Sequence, residues 1–155
     1  MSYQAVIHSP IGPLGIITDG DKLYSIDFLP AGTKLQSATD AGTAQVTEEL
    51  RNYFKHADWH FSLSLRPKGT AFQLSVWQQL RQIPIGEVRS YGQIAKALGT
   101  GPRAVGNACR NNPLPIVVPC HRVVAATGPG GYDGQTGGRN MEIKGWLLAH
   151  EGVNL

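Results

Sequence analysis

A chain of 155 residues, 41% apolar and 16% charged, is long enough for one ordinary domain or two small ones and too apolar for a disordered tail. Its net charge of +3 is unevenly distributed. Residues 1–70 carry six basic and seven acidic side chains, and residues 71–155 carry eight basic and four acidic ones. No apolar run reaches the roughly 18 residues of a membrane span and the N-terminus shows no signal-peptide pattern, so we expect a cytoplasmic protein without a membrane partner.

Residues 1–66 predict a small α+β domain. Three short apolar runs bounded by turn residues are typical of an antiparallel meander: residues 3–8, 14–18 and 23–28. Residues 29–43 are rich in Gly, Ala, Ser and Thr and predict a surface loop. Apolar side chains recur at helical spacing over residues 44–57, and strict alternation over residues 59–65 predicts a further strand of the same sheet. Residues 66–69 break the pattern and are the predicted linker.

Residues 70–155 predict a second, mainly helical domain. Thr70 with Gln73 forms a capping box, and the helix that it starts ends at Pro84. The apolar positions of this helix predict a buried face made of Phe72, Val76, Leu80 and Ile83.

Two shorter helices follow the first. Ser90 with Gln93 starts a helix that ends at Gly99, and Pro102 suits the first turn of a helix running to about Asn111. Such a pair is a helix-turn-helix pattern, although a simple helical hairpin has the same appearance. A glycine-rich loop over residues 127–138 and a last helix over residues 141–150 complete the domain.

Positive charge is concentrated around these helices. Between residues 81 and 122 six basic side chains face a single acidic one, Glu87. This balance favours an anionic partner such as nucleic acid, and a solvated basic face is the alternative on charge alone.

The segment from Ile116 to Val124 is apolar and β-branched but is interrupted by Pro119, Cys120, His121 and Arg122. Burying these residues without a purpose would be costly, so they indicate a site. A neighbouring His and Arg can hold a cysteine partly as the thiolate, which is the nucleophilic form. Consecutive residues of an extended chain point to opposite faces, so the imidazole reaches the sulfur only through a turn or a bridging water. An inert buried cysteine is the alternative, and Cys109, within a helix, is expected to serve packing.

Several motifs occur in a fixed order, at residues 83–88, 90–95, 103–106, 112–113, 119–123, 131–132 and 147–152: IPIGEV, SYGQIA, RAVG, NP, PCHRV, GY and LLAHEG. Together they resemble the O6-alkylguanine-DNA alkyltransferases, also called methylated-DNA–protein-cysteine methyltransferases. The resemblance is close over residues 70–153 and extends to the first domain in outline.

This resemblance implies a fold and a reaction. The fold is an N-terminal ribonuclease-H-like α/β lobe followed by a helical, winged-helix-like lobe whose helix-turn-helix enters the minor groove of double-stranded DNA. The reaction is the irreversible transfer of an alkyl group from guanine O6 in DNA to the protein's own cysteine, by a monomer without cofactor or metal. O4-alkylthymine stays open as a second substrate.

The resemblance also implies catalytic roles for five residues. Cys120 is the alkyl acceptor, His121 deprotonates it through water, and Glu151 orients the imidazole. Tyr91 donates to the leaving guanine, and Asn112 ties the helix-turn-helix to the site.

Further residues are implied in binding. Arg103 fills the gap left by a flipped nucleotide, and the DNA surface includes Ser90, Tyr91, Ala104 and Arg110. In the substrate pocket the carbonyls of Cys120 and Val123 accept from the exocyclic amine of guanine. Tyr132 lies in the loop that covers the pocket, and its neighbour Asp133 stands where Ser or Ala is common in the family. That difference, together with a longer stretch over residues 134–143, leaves the substrate preference open.

Two non-catalytic functions compete with alkyl transfer: an alkylation-damage sensor of the related alkyltransferase-like group, and a helix-turn-helix regulator. The discriminating feature is Cys120, because the sensor proteins have another residue at that place. A cysteine hydrolase is disfavoured by the adjacent spacing of Cys120 and His121 and by the basic helices.

Overall fold

The computed structural model describes residues 2–128, 130–132 and 138–154. The chain divides into two compact units, residues 1–68 and 69–155, and the division falls within the segment 66–69. Among the described residues, no helix has the length and apolar character needed to cross a membrane.

Among its described residues, the first unit contains a three-stranded antiparallel sheet and one helix. Its strands are β1 (Ala5–Ile7), β2 (Leu14–Asp19) and β3 (Lys22–Phe28), paired in that order, and its helix is α1 (Ala41–Lys55). Val46, Leu50 and Tyr53 lie at helical spacing on α1 and are fully buried. The predicted meander is therefore confirmed, with β1 shorter than expected.

Two predictions for this unit need correction. Helix α1 begins three residues earlier than expected, because Asp40 Oδ1 accepts a hydrogen bond from the backbone N–H of Thr43 (2.8 Å) and caps it there. Residues 59–65 do not form a strand: their backbone pairs with β3 at a single bridge, between Leu23 and Leu65. The N–H of Ser62 donates instead to the buried side chain of Glu49 (2.7 Å), so a carboxylate takes the place of a strand partner.

The second unit contains four helices and two short strands among its described residues. They are α2 (Ala71–Leu80), β4 (Arg89–Ser90), α3 (Tyr91–Leu98), α4 (Pro102–Arg110), β5 (Val123–Val124) and α5 (Arg139–His150). Both predicted capping boxes are present, at Thr70 and at Ser90, and Gly99 ends α3 in the left-handed conformation (φ 67°). Strands β4 and β5 pair in parallel.

The first three helices of the second unit pack on one another. Helices α3 and α4 are in contact, and the indole of Trp77 on α2 donates to the carbonyl of Ala108 on α4 (2.8 Å). Of the four positions predicted for the buried face of α2, Phe72 is wrong, since it is 37% exposed. It lies in the first turn of α2, and the buried residues of this helix are Val76, Trp77 and Leu80. Helix α5 begins two residues earlier than predicted.

Trp77→Phe tests the tie between α2 and α4. The change keeps most of the buried ring but removes the hydrogen bond to Ala108, and we expect the free energy of unfolding to fall by about 1–2 kcal/mol. Urea unfolding followed by circular dichroism measures it. Gln78→Ala on the exposed side of the same helix is the control and should stay within about 0.5 kcal/mol; a Trp77→Phe variant as stable as the control would show that the bond contributes nothing.

Candidate active site

Three of the residues that interrupt the apolar segment 116–124 form a single 3₁₀ turn, Cys120–Arg122. All three of its side chains are buried, with His121 at 0% exposure. The last turn of α5 brings Glu151 to this turn, and that residue is buried as well. In an extended chain the thiol and the imidazole would point to opposite faces. Residues 120–122 form a 3₁₀ turn instead, so that alternation does not apply to them.

Glu151 joins the imidazole to a guanidinium. Its Oε2 lies 2.7 Å from His121 Nε2, and its two oxygens accept from Arg122 Nε (2.8 Å) and Nη2 (3.1 Å). Arg122 Nη1 also donates to the carbonyl of Ile83 (2.7 Å). Arg122 is thus the partner of the carboxylate and is buried, so it is not part of an exposed basic surface, and that expectation is wrong.

Protonation states in this cluster follow from its charges. Burial alone would raise the pKa of Glu151, but hydrogen bonds from His121 and Arg122 outweigh burial and lower it to about 2. Burial lowers the pKa of His121, against the opposing effect of Glu151. A neutral imidazole beside a carboxylate must donate through Nε2, so the lone pair is on Nδ1. Nδ1 is buried and has no hydrogen-bond partner among the described residues.

Asn112 contacts the thiol directly. This residue follows the end of α4, and its Nδ2 donates to Cys120 Sγ (3.2 Å) and to the carbonyl of Val118 (2.9 Å). Its Oδ1 accepts from the N–H of Leu114 (2.9 Å). An amide that donates to sulfur favours the thiolate over the thiol.

Tyr91, the first residue of α3, reaches the loop after β5. Its hydroxyl donates to the carbonyl of Gly131 (3.4 Å), and burial raises its pKa to about 12. Gly130 has φ 74°, and a Cβ there would lie 2.9 Å from the tyrosine ring. Only glycine therefore lets the loop pack this closely on the ring.

Lys144 is a site residue that the sequence reasoning missed. Its side chain is fully buried, and Nζ donates to the carbonyls of Val123 (2.7 Å) and Gly131 (2.8 Å). Burial lowers its pKa to about 8. The signal was present, because Lys144 lies between Ile143 and Leu147 on the buried face of α5, where an unpaired charge is not tolerated.

The two carbonyls that the resemblance assigns to the guanine amine already accept from the protein. The carbonyl of Cys120 accepts from the N–H of Val123, and that of Val123 accepts from Lys144. A carbonyl oxygen has two lone pairs, so a second donor is compatible with each bond.

The predicted DNA-binding residues occupy different environments. Arg103, at the start of α4, and Arg110, at its end, are exposed, while Ala104 is half-buried. The hydroxyl of Ser90 accepts from the N–H of Gln93 (3.0 Å) as the cap of α3. Tyr132 is buried, and Asp133 lies outside the described residues, as do residues 134–137 of the longer stretch.

Two further expectations from the sequence concern the role of Cys109 and the binding of metal. Cys109 is buried in α4, and burial raises the pKa of its thiol, in keeping with packing. Within the described part of the chain, no group of His, Cys, Asp and Glu side chains could hold a metal ion.

Family models match both units. The model of the "6-O-methylguanine DNA methyltransferase, DNA binding domain" matches residues 71–153, and that of the "6-O-methylguanine DNA methyltransferase, ribonuclease-like domain" matches residues 2–67. The chain belongs to the 6-O-methylguanine DNA methyltransferase family. The predicted family is confirmed, and so is the architecture of a ribonuclease-like lobe followed by a DNA-binding lobe.

Relatives and solved structures of this methyltransferase family match nearly the whole chain. A methylated-DNA–protein-cysteine methyltransferase of Methanosarcina acetivorans is 38% identical, with 97% of this chain and 98% of the relative covered. A constitutive one of Bacillus subtilis is 38% identical, with 99% and 98% covered. The crystal structure of Mycobacterium tuberculosis O6-methylguanine methyltransferase has a TM-score of 0.79 at 36% identity and covers 94% of this chain and 90% of its own.

A solved structure of the family also contains nucleic acid. Mycobacterium tuberculosis OGT in complex with DNA has a TM-score of 0.78 at 39% identity, with 94% of this chain and 90% of that chain covered. The relatives are named as methyltransferases of the class that the sequence predicts. They support the function of a DNA-binding repair protein.

Glu151→Gln tests the buried carboxylate through the pH dependence of stability. The unfolded chain takes up the proton near pH 4.5 and the folded chain near 2, so the stabilisation is complete above pH 4.5 and is lost as the pH falls through 2. Between these values we expect the parent's free energy of unfolding to fall more steeply than the variant's, by on the order of 1–3 kcal/mol.

Urea unfolding at a series of pH values in that window measures the two slopes. Glu142→Gln, an exposed carboxylate on the same helix, is the matched control and should keep the parental slope. Identical slopes for parent and Glu151→Gln would mean that the carboxylate is not stabilised by its partners.

Proposed function

We propose that this methyltransferase repairs double-stranded DNA by a single, irreversible transfer of the alkyl group of O6-alkylguanine to Cys120. The observation that carries the proposal is the buried thiol held by Asn112 beside a His121–Glu151 pair, in a unit whose helix α4 exposes basic side chains. A non-catalytic sensor or regulator has no use for such a thiol. The protein acts as a monomer on DNA in the cytoplasm.

Activation of the thiol follows from the protonation states. The Glu151 carboxylate accepts from Nε2 of His121, which leaves Nδ1 as the base. Nδ1 takes the thiol proton through a bridging water, and the Asn112 amide stabilises the thiolate that forms. The buried Nδ1 has no partner among the described residues, and this supports the role, because a buried acceptor is costly unless water or substrate donates a hydrogen bond to it.

The transfer itself is a displacement at the alkyl carbon. The sulfur forms a bond to that carbon while the bond from carbon to guanine O6 breaks, and the oxygen keeps the electron pair. The leaving guanine is neutralised by a proton that the Tyr91 hydroxyl donates to its ring, and the proton that His121 took from the thiol returns to the Tyr91 oxygen, so that the thiol proton is carried by the product guanine. A phenol whose pKa is raised to about 12 stays protonated at neutral pH and so remains a donor.

A thioether explains why each molecule acts once. After transfer the alkyl group is held by a carbon–sulfur bond with no activated leaving group, and the neutral thioether sulfur is a far weaker nucleophile than the thiolate. Restoring the thiol would need a second acceptor. The proposal therefore predicts a stoichiometric reaction, with one alkyl group per chain.

Reaction inside a duplex requires the base to leave the stack. A buried thiol cannot reach a paired guanine, so the nucleotide is extruded into the site from the minor groove, at a cost of a few kcal/mol. Arg103, exposed at the start of α4, fills the vacated position.

Incubation with a duplex that contains O6-methylguanine tests the chemistry. We expect the intact chain to gain the mass of one methyl group on Cys120 and the reaction to stop at one equivalent. Intact mass spectrometry and peptide mapping measure both. Turnover beyond one equivalent would contradict the proposal, as would modification of Cys109.

Cys120→Ala is the matched control for this experiment. It should abolish transfer and keep duplex binding, because phosphate contacts dominate the affinity. Cys109→Ala removes the other buried thiol and should leave transfer intact.

Arg103→Ala tests base flipping. A side chain that replaces the extruded base should matter only when the substrate begins in a stack, and free O6-benzylguanine has none. We expect the variant to slow single-turnover repair of duplex O6-methylguanine by at least about tenfold at saturating protein, while alkylation by free O6-benzylguanine stays within about twofold.

Arg110→Ala is the control for a simple phosphate contact, since Arg110 is exposed at the other end of α4. It should weaken binding and lower the salt slope by about one unit while the saturated rate is retained. An Arg103→Ala variant with the parental saturated rate on duplex DNA would contradict the flipping role.

A further inference from the structure

The residues between Asn112 and Cys120 form an arch closed by one side chain. Asn112 Oδ1 accepts from the N–H of Leu114 at the start of the arch, and Nδ2 donates to the carbonyl of Val118 and to Cys120 Sγ at its end. The carbonyl of Val118 also accepts from the N–H of Cys120 (2.8 Å). The Cys120 thiol can therefore contact the Asn112 amide only if the chain reverses direction within the arch.

Ile116 makes that return possible. The N–H of Val118 bonds to the carbonyl of Leu114 (2.8 Å), which encloses Pro115, Ile116 and Val117 in a tight turn. Proline fixes its own φ near −65°, so the reversal must come from another residue. Ile116 has φ 77° and is the one non-glycine residue with positive φ in the part of the chain that the structure describes.

A β-branched residue in this conformation is strained. Its Cβ approaches the following carbonyl, and glycine would adopt the same backbone without cost. The side chain of Ile116 is 1% exposed, so burial of the side chain offsets the strain and holds the backbone in the left-handed region. Strained residues of this kind are found where a site needs a fixed geometry.

We propose that Ile116 is a positioning residue whose left-handed backbone sets the Cys120 thiol on the Asn112 amide. The role deepens the proposed alkyl transfer and rests on it. In this role Ile116 acts on the thiol through the arch. The hydrogen bond from Asn112 favours the thiolate, so a displaced thiol would ionise at higher pH.

Ile116→Ala and Ile116→Gly separate the backbone from the side chain. Both remove the buried side chain, but alanine keeps the Cβ that is strained at positive φ, whereas glycine does not. Without its anchor the alanine backbone should leave the left-handed region, and the glycine backbone can stay there. A residue that only fills space would give the opposite order, because glycine leaves the larger cavity and the more flexible chain.

The readout is the pH midpoint of Cys120 alkylation by iodoacetamide, in which the thiolate forms a carbon–sulfur bond and iodide leaves. Peptide mapping assigns the reaction to Cys120. We expect Ile116→Ala to raise the midpoint by about one pH unit, the worth of one hydrogen bond to a charged sulfur. Ile116→Gly and Ile116→Val should stay within about 0.3 units of the parent, since each keeps the left-handed backbone.

Methyl transfer from the O6-methylguanine duplex should follow the same order. We expect the saturated single-turnover rate to fall about tenfold in Ile116→Ala and to recover to within about threefold of the parent in Ile116→Gly. The control pair is Ile94→Ala and Ile94→Gly, buried in the ordinary helix α3, where glycine should be the less stable variant and the midpoint should not move.

A midpoint in Ile116→Gly that rises as far as in Ile116→Ala, or further, would overturn the proposal. If Ile116→Ala does not fold, Ile116→Gly is compared with Ile116→Val. A pH midpoint of Ile116→Gly above that of Ile116→Val would then also overturn the proposal. The iodoacetamide reaction needs no DNA. A parent chain that fails to accept methyl groups but shows the predicted order of midpoints would contradict the proposed function alone.

Discussion

The buried carboxylate of Glu151 is the group on which the rest of the site depends. It accepts hydrogen bonds from His121 and Arg122, and so fixes the turn that carries the thiol to the end of α5. An unpaired carboxylate at this depth would be prohibitive, and the guanidinium of Arg122 is what makes it tolerable. Because Arg122 also donates to the carbonyl of Ile83, the segment after α2 is held to the same point. One ionic group therefore organises three parts of the second unit.

Burial acts in opposite directions on the groups around the thiol. It lowers the pKa of His121, so the imidazole is neutral, and it raises the pKa of Tyr91 to about 12, so the phenol is protonated. The low pKa of Glu151 fixes which imidazole nitrogen carries hydrogen. A base and an acid are thus available together at neutral pH, as alkyl transfer to a thiol requires.

Sequence reasoning succeeded where the determinant was local. The capping boxes at Thr70 and Ser90 predicted the starts of α2 and α3 because each box lies within four residues. It failed at residues 59–65, where a strand needs a distant partner that alternation does not reveal and the Glu49 carboxylate takes the Ser62 N–H instead. The resemblance indicated the His121–Glu151 pair, but the partner of Arg122 is known only once the turn and α5 are in place.

The positive φ of Ile116 is another feature that the sequence did not predict. Its energetic cost is one reason why the site needs a large core. No sequence pattern marks one isoleucine of an apolar run as left-handed, at a cost of about 1–3 kcal/mol. Desolvating the ionic cluster costs several kcal/mol more before its hydrogen bonds repay it. Side chains such as Leu80, Val105 and Leu147, each fully buried in the same unit, contribute roughly 1.5–3 kcal/mol apiece. Burial of such side chains acts against both the strain and the desolvation, so the unit can hold a buried, preorganised thiol and remain folded.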